Sequence, residues 1–234
     1  MSSQFTAIVP IKFNSERVKG KNFRILNGRP LYNWIVDTLL TVERIERIVI
    51  NTDVPEKISS DAFLEDTRVH VDARPVELHG DEVSMNLILK AQVENESSSH
   101  FFMTHTTNPF LSEGSINQAL DKYCESVMGS ESYDSLFSVT QHQSRFFDLN
   151  GTPLNHDPEN LIPTQELPKM FEENSCFYVF PRDVILKYGR RIGEHPLMYP
   201  IALPESLDID TEQDWRLAEL LAPAIKHRDV GRES

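Results

Sequence analysis

"IVPIKFNSERVKGKN", residues 8–22, decides how the rest of the chain is read. An apolar run from Phe5 to Ile11 breaks into a polar loop, the form of a buried strand ending in a ligand loop in a Rossmann-type chain. The glycines usual in such a loop are absent apart from Gly20; Lys12, Arg17, Lys19 and Lys21 occupy the stretch instead. From Lys12 to Arg29, six basic residues (Lys12, Arg17, Lys19, Lys21, Arg24, Arg29) accompany one acid, Glu16. This segment carries +5 in a chain of net charge −13, leaving −18 on the remainder. A basic island of that size suits a compact anion such as a triphosphate, and a solvated surface loop is the alternative that charge alone leaves open.

Outward from this stretch, strands and helices alternate. Pro30 to Thr41 reads as a helix, Arg47 to Thr52 and Arg68 to Val71 as strands, and Glu82 to Asn95 as a helix through Val83, Leu87 and Ala91. Phe101 to Thr104 is expected as a strand, Ser112 to Val127 as a helix and Asp134 to Thr140 as a strand. The alternation implies an α/β fold with a mostly parallel central sheet covered on both faces, whose ligands gather at the carboxyl ends of the strands. Residues 141–174 are polar, rich in Pro and Asn and weakly periodic, so they read as an excursion between a main domain of 1–140 and 175–234. "SCFYVF" then resumes a strand, "PRDVILKYG" a short helix, and "SLDIDTEQDWRLAELL" a strand followed by a helix.

Bulk properties exclude several classes. With 39% hydrophobic and 25% charged residues in 234, the chain supports one sizeable domain. A net charge of −13 argues against nucleic acid as a partner, since that binding neutralises phosphates. No leader pattern or membrane-length apolar run is read, so a soluble cytoplasmic protein is expected, with no membrane partner. Cys124 and Cys176 lack the spacing of a disulfide framework or a metal site, and each is expected to be a buried thiol.

"LDID" is the second chemical centre. In a strand-like context Asp208 and Asp210 project from one face roughly 6–7 Å apart. Such a pair can hold a divalent cation, magnesium being the expected ion because it takes one or two carboxylates plus substrate phosphates. Capping of the last helix by Asp210 or Thr211, with Asp214 completing a capping box, is compatible with that reading.

Taken together, the loops at the strand ends resemble the acylneuraminate cytidylyltransferase family and its CMP-Kdo synthetase relatives over almost the whole chain. The first loop of that family runs P-A-R-x-x-S-K-x-x-x-x-K-N; here Pro10, Ser15, Lys21 and Asn22 hold those positions, with Lys12 where Arg is usual. Ser15, Arg17, Gly20 and Lys21 also fit the CMP-Kdo pattern S-x-R-x-P-G-K. "RPVELHGD" is similar to R-P-x-E-L-x-x-D at Arg74, Pro75, Glu77, Leu78 and Asp81. "HTTNPF" looks like Q-P-T-S-P-F, with His105 in place of Gln. "TQELP" matches part of R-R-x-Q-D-L-P, and "ESLDIDTEQDW" is close to E-x-x-D-I-D-T-x-x-D.

The resemblance implies a Rossmann-like three-layer nucleotidyltransferase of the GT-A kind. Its implied reaction is transfer of CMP from CTP to the anomeric hydroxyl of an acidic sugar, with release of pyrophosphate. Lys21, Arg17, Asp208 and Asp210 are the implied catalytic group, the two aspartates with Mg2+. Lys12, Arg17 and Lys21 would neutralise the triphosphate, and Ser15 and loop N–H groups would bond its oxygens. Pro10, Asn22, Thr52, Asp53, Arg74 and Ser84 are the other candidates beside the nucleotide; Arg74 instead pairs with Glu77 or Asp81 on the alternative reading. His105, Thr107, Asn108, Gln165 and Arg145 are candidates for the acceptor sugar. Residues 141–174 would form a dimerisation arm of a homodimer. The arginine pair of that arm in the family is absent from "LIPTQELP", which opens the acceptor's identity, and Arg145 is the nearest substitute. A non-catalytic nucleotide- or sugar-binding homologue stays open. So does a nucleotidyltransferase for another sugar or nucleotide; a glycosyltransferase would carry its D-x-D mid-chain.

Overall fold

The computed structural model describes residues 4–15, 17–58, 61–130 and 132–225. The first strand, β1 (Phe5–Ile11), is buried at every position and lies inside a seven-stranded sheet, third from one edge. Its Phe5, Ala7, Val9 and Ile11 enter one core with Ile35, Val36 and Leu39 of α1 (Leu31–Thr41), while Ile8 enters another on the opposite face. A short antiparallel hairpin, β2 (Ile25–Leu26) and β3 (Arg29–Pro30), leads into α1, where Pro30 supplies the fixed φ that suits a helix start.

The chain then builds outward and returns. β4 (Ile45–Thr52) pairs parallel with β1, and β5 (Val69–Ala73) pairs parallel with β4. Helix α2 (Met85–Asn95) crosses back to β6 (His100–Thr104), which pairs parallel with the other side of β1. Because β1 has neighbours reached in opposite directions, its carboxyl end and that of β6 open a crevice. Helix α3 (Glu113–Tyr123) continues into a wider turn at Cys124–Gly129, shorter as an α-helix than the expected Ser112 to Val127. Ser112 caps it by accepting from the Ser115 N–H at 3.1 Å.

The second half of the sheet is mixed. β7 (Ser135–His142) and β8 (Met170–Pro181) pair antiparallel, β8 also pairs antiparallel with β6, and β9 (Pro196–Pro200) pairs parallel with β7. The order is β5-β4-β1-β6-β8-β7-β9, with β8 the one strand running against the rest. The ladder extends to His142 on one strand and begins at Met170 on the other, so both ends of the expected 141–174 excursion belong to the sheet. Pairing shifts between Phe137–Tyr178 and Val139–Glu173, and the bulge so formed puts Ser175 at φ 57.

Helix α4 (Arg182–Tyr188) ends at Gly189 in the left-handed conformation. The strand expected at "SLDID" does not form: residues 206–210 run between β9 and α5 (Glu212–Leu221) without a ladder, with the Ile209 N–H donating to the Thr107 carbonyl at 2.9 Å. Leu207 and Ile209 are nevertheless buried and Asp208 and Asp210 part-exposed, the alternation an extended segment gives. Cys176 is buried as expected, its thiol pushed up by burial. Cys124 is only partly so and accepts from Arg44 Nη2 at 2.8 Å.

A third, smaller core holds the two ends of the described chain together. Val18, Leu26, Leu31, Trp34 and Phe110 pack with Leu207, Ile209, Trp215, Ala218 and Ala222. Trp215, fully buried there, also carries the Arg24 guanidinium 4.1 Å above its ring. Trp215→Ala is expected to cost about 3–5 kcal/mol, read as a lower urea midpoint, because the cavity cannot collapse between two chain ends.

Candidate active site

A cleft of about 450 Å³ opens where β1 and β6 end. Its walls come from the loop after β1 (Pro10, Lys12, Ser15, Arg17, Lys21, Asn22), the loop before α2, residues after β6, and the 208–210 segment. Gly20, at φ 61, turns the first loop so that the Lys21–Phe23 turn brings Lys21 inward. The Lys21 ammonium donates to the Ile209 carbonyl at 2.6 Å and to Asp210 Oδ1 at 3.2 Å. Arg17 Nη2 donates to the same Asp210 oxygen at 2.9 Å. Lys12 pairs with Asp81 across the mouth.

Asn22 anchors this loop: its amide donates to the Lys12 carbonyl at 2.7 Å and its oxygen accepts from Thr106 Oγ1 at 2.6 Å. Arg74 is buried and pairs with neither Glu77 nor Asp81. Its Nε donates to Asn51 Oδ1 at 2.7 Å and its Nη2 to the Ile11 and Asn51 carbonyls at 3.2 and 3.0 Å. Asn51 is held in turn by Gln92 at 2.9 Å, so the guanidinium is oriented by a buried network.

Asp208 and Asp210 both line the cleft. Burial raises the Asp208 carboxyl above its ordinary value, Asp210 adds repulsion, and Thr107, Lys21 and Arg17 oppose the rise. Its Oδ1 is buried without a hydrogen-bond partner, the place where a cation would relieve an uncompensated acceptor. Asp210 is shared by Arg17 and Lys21 on one side, and its backbone N–H donates to Asp214 Oδ2 at 3.2 Å on the other. Thr211 completes the capping box with Asp214, so capping and the carboxylate pair coexist. His105 sits among Arg191, Lys21 and Asp210; burial lowers its imidazole to about 3, the two cations add to this and Asp210 opposes it, so the ring is neutral at pH 7.

The cleft thus brings together Lys21, Arg17, Asp208, Asp210, Pro10, Lys12, Ser15, Asn22, Arg74, His105 and Thr107. Other candidates lie apart from its lining. Thr52 is buried and accepts from the Val54 N–H at 3.2 Å; Asp53 accepts from the Phe13 N–H at 2.9 Å, bracing the first loop. Ser84 caps α2, and the Asn108 amide donates to the Leu207 carbonyl at 3.2 Å, fixing the aspartate segment from behind. Gln165 and Arg145 belong to the excursion, where the Gln165 carbonyl accepts from Gln143 at 2.7 Å and Arg145 donates to the Ile162 carbonyl at 2.7 Å. Gly80, Val83, Met85, Ile88, Thr106 and Ser175 line the cleft without having been singled out. Val83, Met85 and Ile88 form an apolar wall; the helix expected from Glu82 starts at Met85 and buries Ile88, Leu89 and Val93, not the expected face through Leu87, which is exposed.

A family model described as Cytidylyltransferase matches residues 6–222. An N-acylneuraminate cytidylyltransferase A of Danio rerio is 25% identical over 226 residues, covering 93% of this chain and 50% of that protein. A pseudaminic acid cytidylyltransferase of Campylobacter jejuni subsp. jejuni is 24% identical over 229 residues, covering 92% of this chain and 94% of that protein. A solved CMP:2-keto-3-deoxy-manno-octonic acid synthetase complexed with CTP shares the fold at a TM-score of 0.66 and 12% identity, over 95% of this chain and 100% of that one. The chain spans about half the length of several curated relatives it matches.

Because the folded state raises the Asp208 pKa, its contribution to stability is present below the unfolded value and is lost as pH rises through the folded one. Above the folded value the charged carboxylate is therefore a cost in metal-free protein. Asp208→Asn is expected to raise the urea midpoint at pH 7, and the gain should shrink towards pH ~4, where the wild-type carboxyl also protonates.

Proposed function

The chain belongs to the cytidylyltransferase family, and from that membership we propose that it transfers CMP from CTP to the anomeric hydroxyl of an acidic sugar, releasing pyrophosphate. The observation that carries this reading is the convergence of Lys12, Arg17, Lys21 and Arg74 with Asp208 and Asp210 in one cleft at the carboxyl ends of β1 and β6. The acceptor oxygen bonds to the α phosphorus, the bond to the bridging oxygen of pyrophosphate breaks, and the hydroxyl proton is lost. Charge grows on the departing pyrophosphate, and the cations of the first loop are positioned to stabilise it. Each already has a partner, which keeps the loop ordered before any ligand binds.

Magnesium fits the carboxylate pair. Asp208, with its unpartnered oxygen, and Asp210 would hold it, and the bound ion would neutralise phosphate oxygens and orient the α phosphate. Among the described residues no group of three or more His, Cys, Asp or Glu side chains gathers, so phosphate and water oxygens would complete its coordination. Arg17 and Lys21 would then redistribute from Asp210 towards phosphate oxygens.

The reading extends to a homodimer formed through the excursion, on which Phe147, Leu149, Leu154 and Leu161 are exposed, an apolar set that a partner surface would cover. No helix among the described residues is long and apolar enough to cross a membrane. A cytoplasmic setting, where CTP is made, suits the activity.

The test is pyrophosphate release from CTP and magnesium with N-acetylneuraminate, pseudaminate or 2-keto-3-deoxy-manno-octonate as acceptor. Release with one of them, abolished by EDTA, is expected; absence of CTP binding by calorimetry would end the reading. Asp210→Asn, which keeps an acceptor for Lys21, should lower kcat about 100-fold or more with little change in melting temperature. Lys21→Ala should raise the KM for CTP about tenfold or more, and unchanged kinetics would remove Lys21 from the triphosphate site.

A further inference from the structure

One cation near the cleft belongs to none of the groups that face the first loop. Arg191 follows α4, and its side chain is 17% exposed. Its guanidinium lies 3.9 Å over the Tyr178 ring, and Nη2 donates to Tyr178 Oη at 2.9 Å. Its backbone N–H donates to Asn86 Oδ1 at 3.3 Å, which ties the loop to α2. Tyr178 Oη is also 3.2 Å from Ser175 Oγ, and Ser175, turned out by the β8 bulge, lines the cleft. Arg191 is thus not in the cleft lining itself but one side chain behind its β8 wall, linked to Ser175 through Tyr178, while the other cations line the β1 and β5 end.

Those other cations are committed. Lys12 is held by Asp81, Arg17 and Lys21 by Asp210, and Arg74 by Asn51 and two carbonyls. Arg191 has only a long contact to a carboxylate, 3.5 Å to Glu173, whose closer partner is Tyr178. Both its side-chain bonds use Nη2; among the described residues Nε and Nη1 are left for a second anion. In a 2-keto sugar acid the carboxylate is attached to the anomeric carbon, so transfer brings it close to the triphosphate. Two anions at that junction need a cation between them, and a braced arginine offers the planar fork a carboxylate takes.

We propose that Arg191, braced by Tyr178 behind Ser175, binds the carboxylate of the acceptor and so determines specificity for acidic sugars. This rests on the cytidylyl-transfer reading.

Arg191→Gln and Arg191→Lys are compared with wild type in two assays: pyrophosphate release, and calorimetric binding of the same sugar acid to protein saturated with a non-hydrolysable CTP analogue. The acceptor carboxamide is run beside the acid, and melting temperatures confirm folding. Arg191→Gln is expected to weaken the acid about tenfold or more, leave the KM for CTP within about twofold, and leave the carboxamide unaffected, with Arg191→Lys recovering part of the loss. Unchanged acid binding in folded Arg191→Gln, or equal losses for acid and carboxamide, overturns the proposal while leaving cytidylyl transfer intact. Acid binding that depends on Arg191 in a protein that releases no pyrophosphate upholds the subsite and ends the catalytic reading; a wild type that binds no sugar acid ends both.

Discussion

The buried ammonium of Lys21 is the constraint on which the site depends. It is nearly enclosed, and its two acceptors, the Ile209 carbonyl and Asp210, lie 188 and 189 residues further along the chain. Burying a cation is unfavourable unless its donors are met, so the first loop keeps its shape only where the 208–210 segment is correctly seated. That segment is seated by the Thr107 carbonyl, the Asn108 amide and the α5 capping box. The ends of β1 and β6 and the start of α5 thus converge on one polar surface.

The same arrangement divides the labour across the sheet. Towards β1 and β5 the cleft carries basic side chains fixed by carboxylates and backbone carbonyls, an environment for polyphosphate. Towards β8 it carries Ser175, His105 and, just behind them, Arg191 and Tyr178, an environment with one cation and several neutral hydrogen-bonding groups. Asp208, with its unpartnered oxygen, lines the same cleft. Polarity therefore changes along the cleft in the order in which a nucleotide and a sugar would have to meet.

Much of this was legible in the sequence, for identifiable reasons. β1 announces itself because every residue from Phe5 to Ile11 is buried, and the basic loop because its charge contrasts with an acidic chain. The Asp208 and Asp210 pair survives the loss of the expected strand because an extended segment alternates with or without a ladder. Thr52, Asp53 and Asn108 were drawn in by adjacency to strand ends, but adjacency does not say which way a side chain points. They turn into the protein and hold loops. β9 escaped notice because "PLMYP" is a half-exposed edge strand bounded by prolines, and the placement of Ser175 because a bulge arises from pairing between strands. Arg191 could not be read at all: its partners, Asn86, Glu173 and Tyr178, come from a different helix and a different strand.

The small core of Val18, Leu26, Leu31, Trp34 and Phe110 against Leu207, Ile209, Trp215, Ala218 and Ala222 carries a consequence for the order of events during synthesis. A ribosome releases the basic loop early, but the residues that bury its flank and receive Lys21 emerge almost 190 residues later. Until then the loop has neither its apolar support nor its acceptors, and the pairing of β1 with β4 and β6 can precede it. A nascent or truncated chain can therefore own most of its sheet and still be unable to shape the cleft. Addition of α5 is what gives the cleft its final wall.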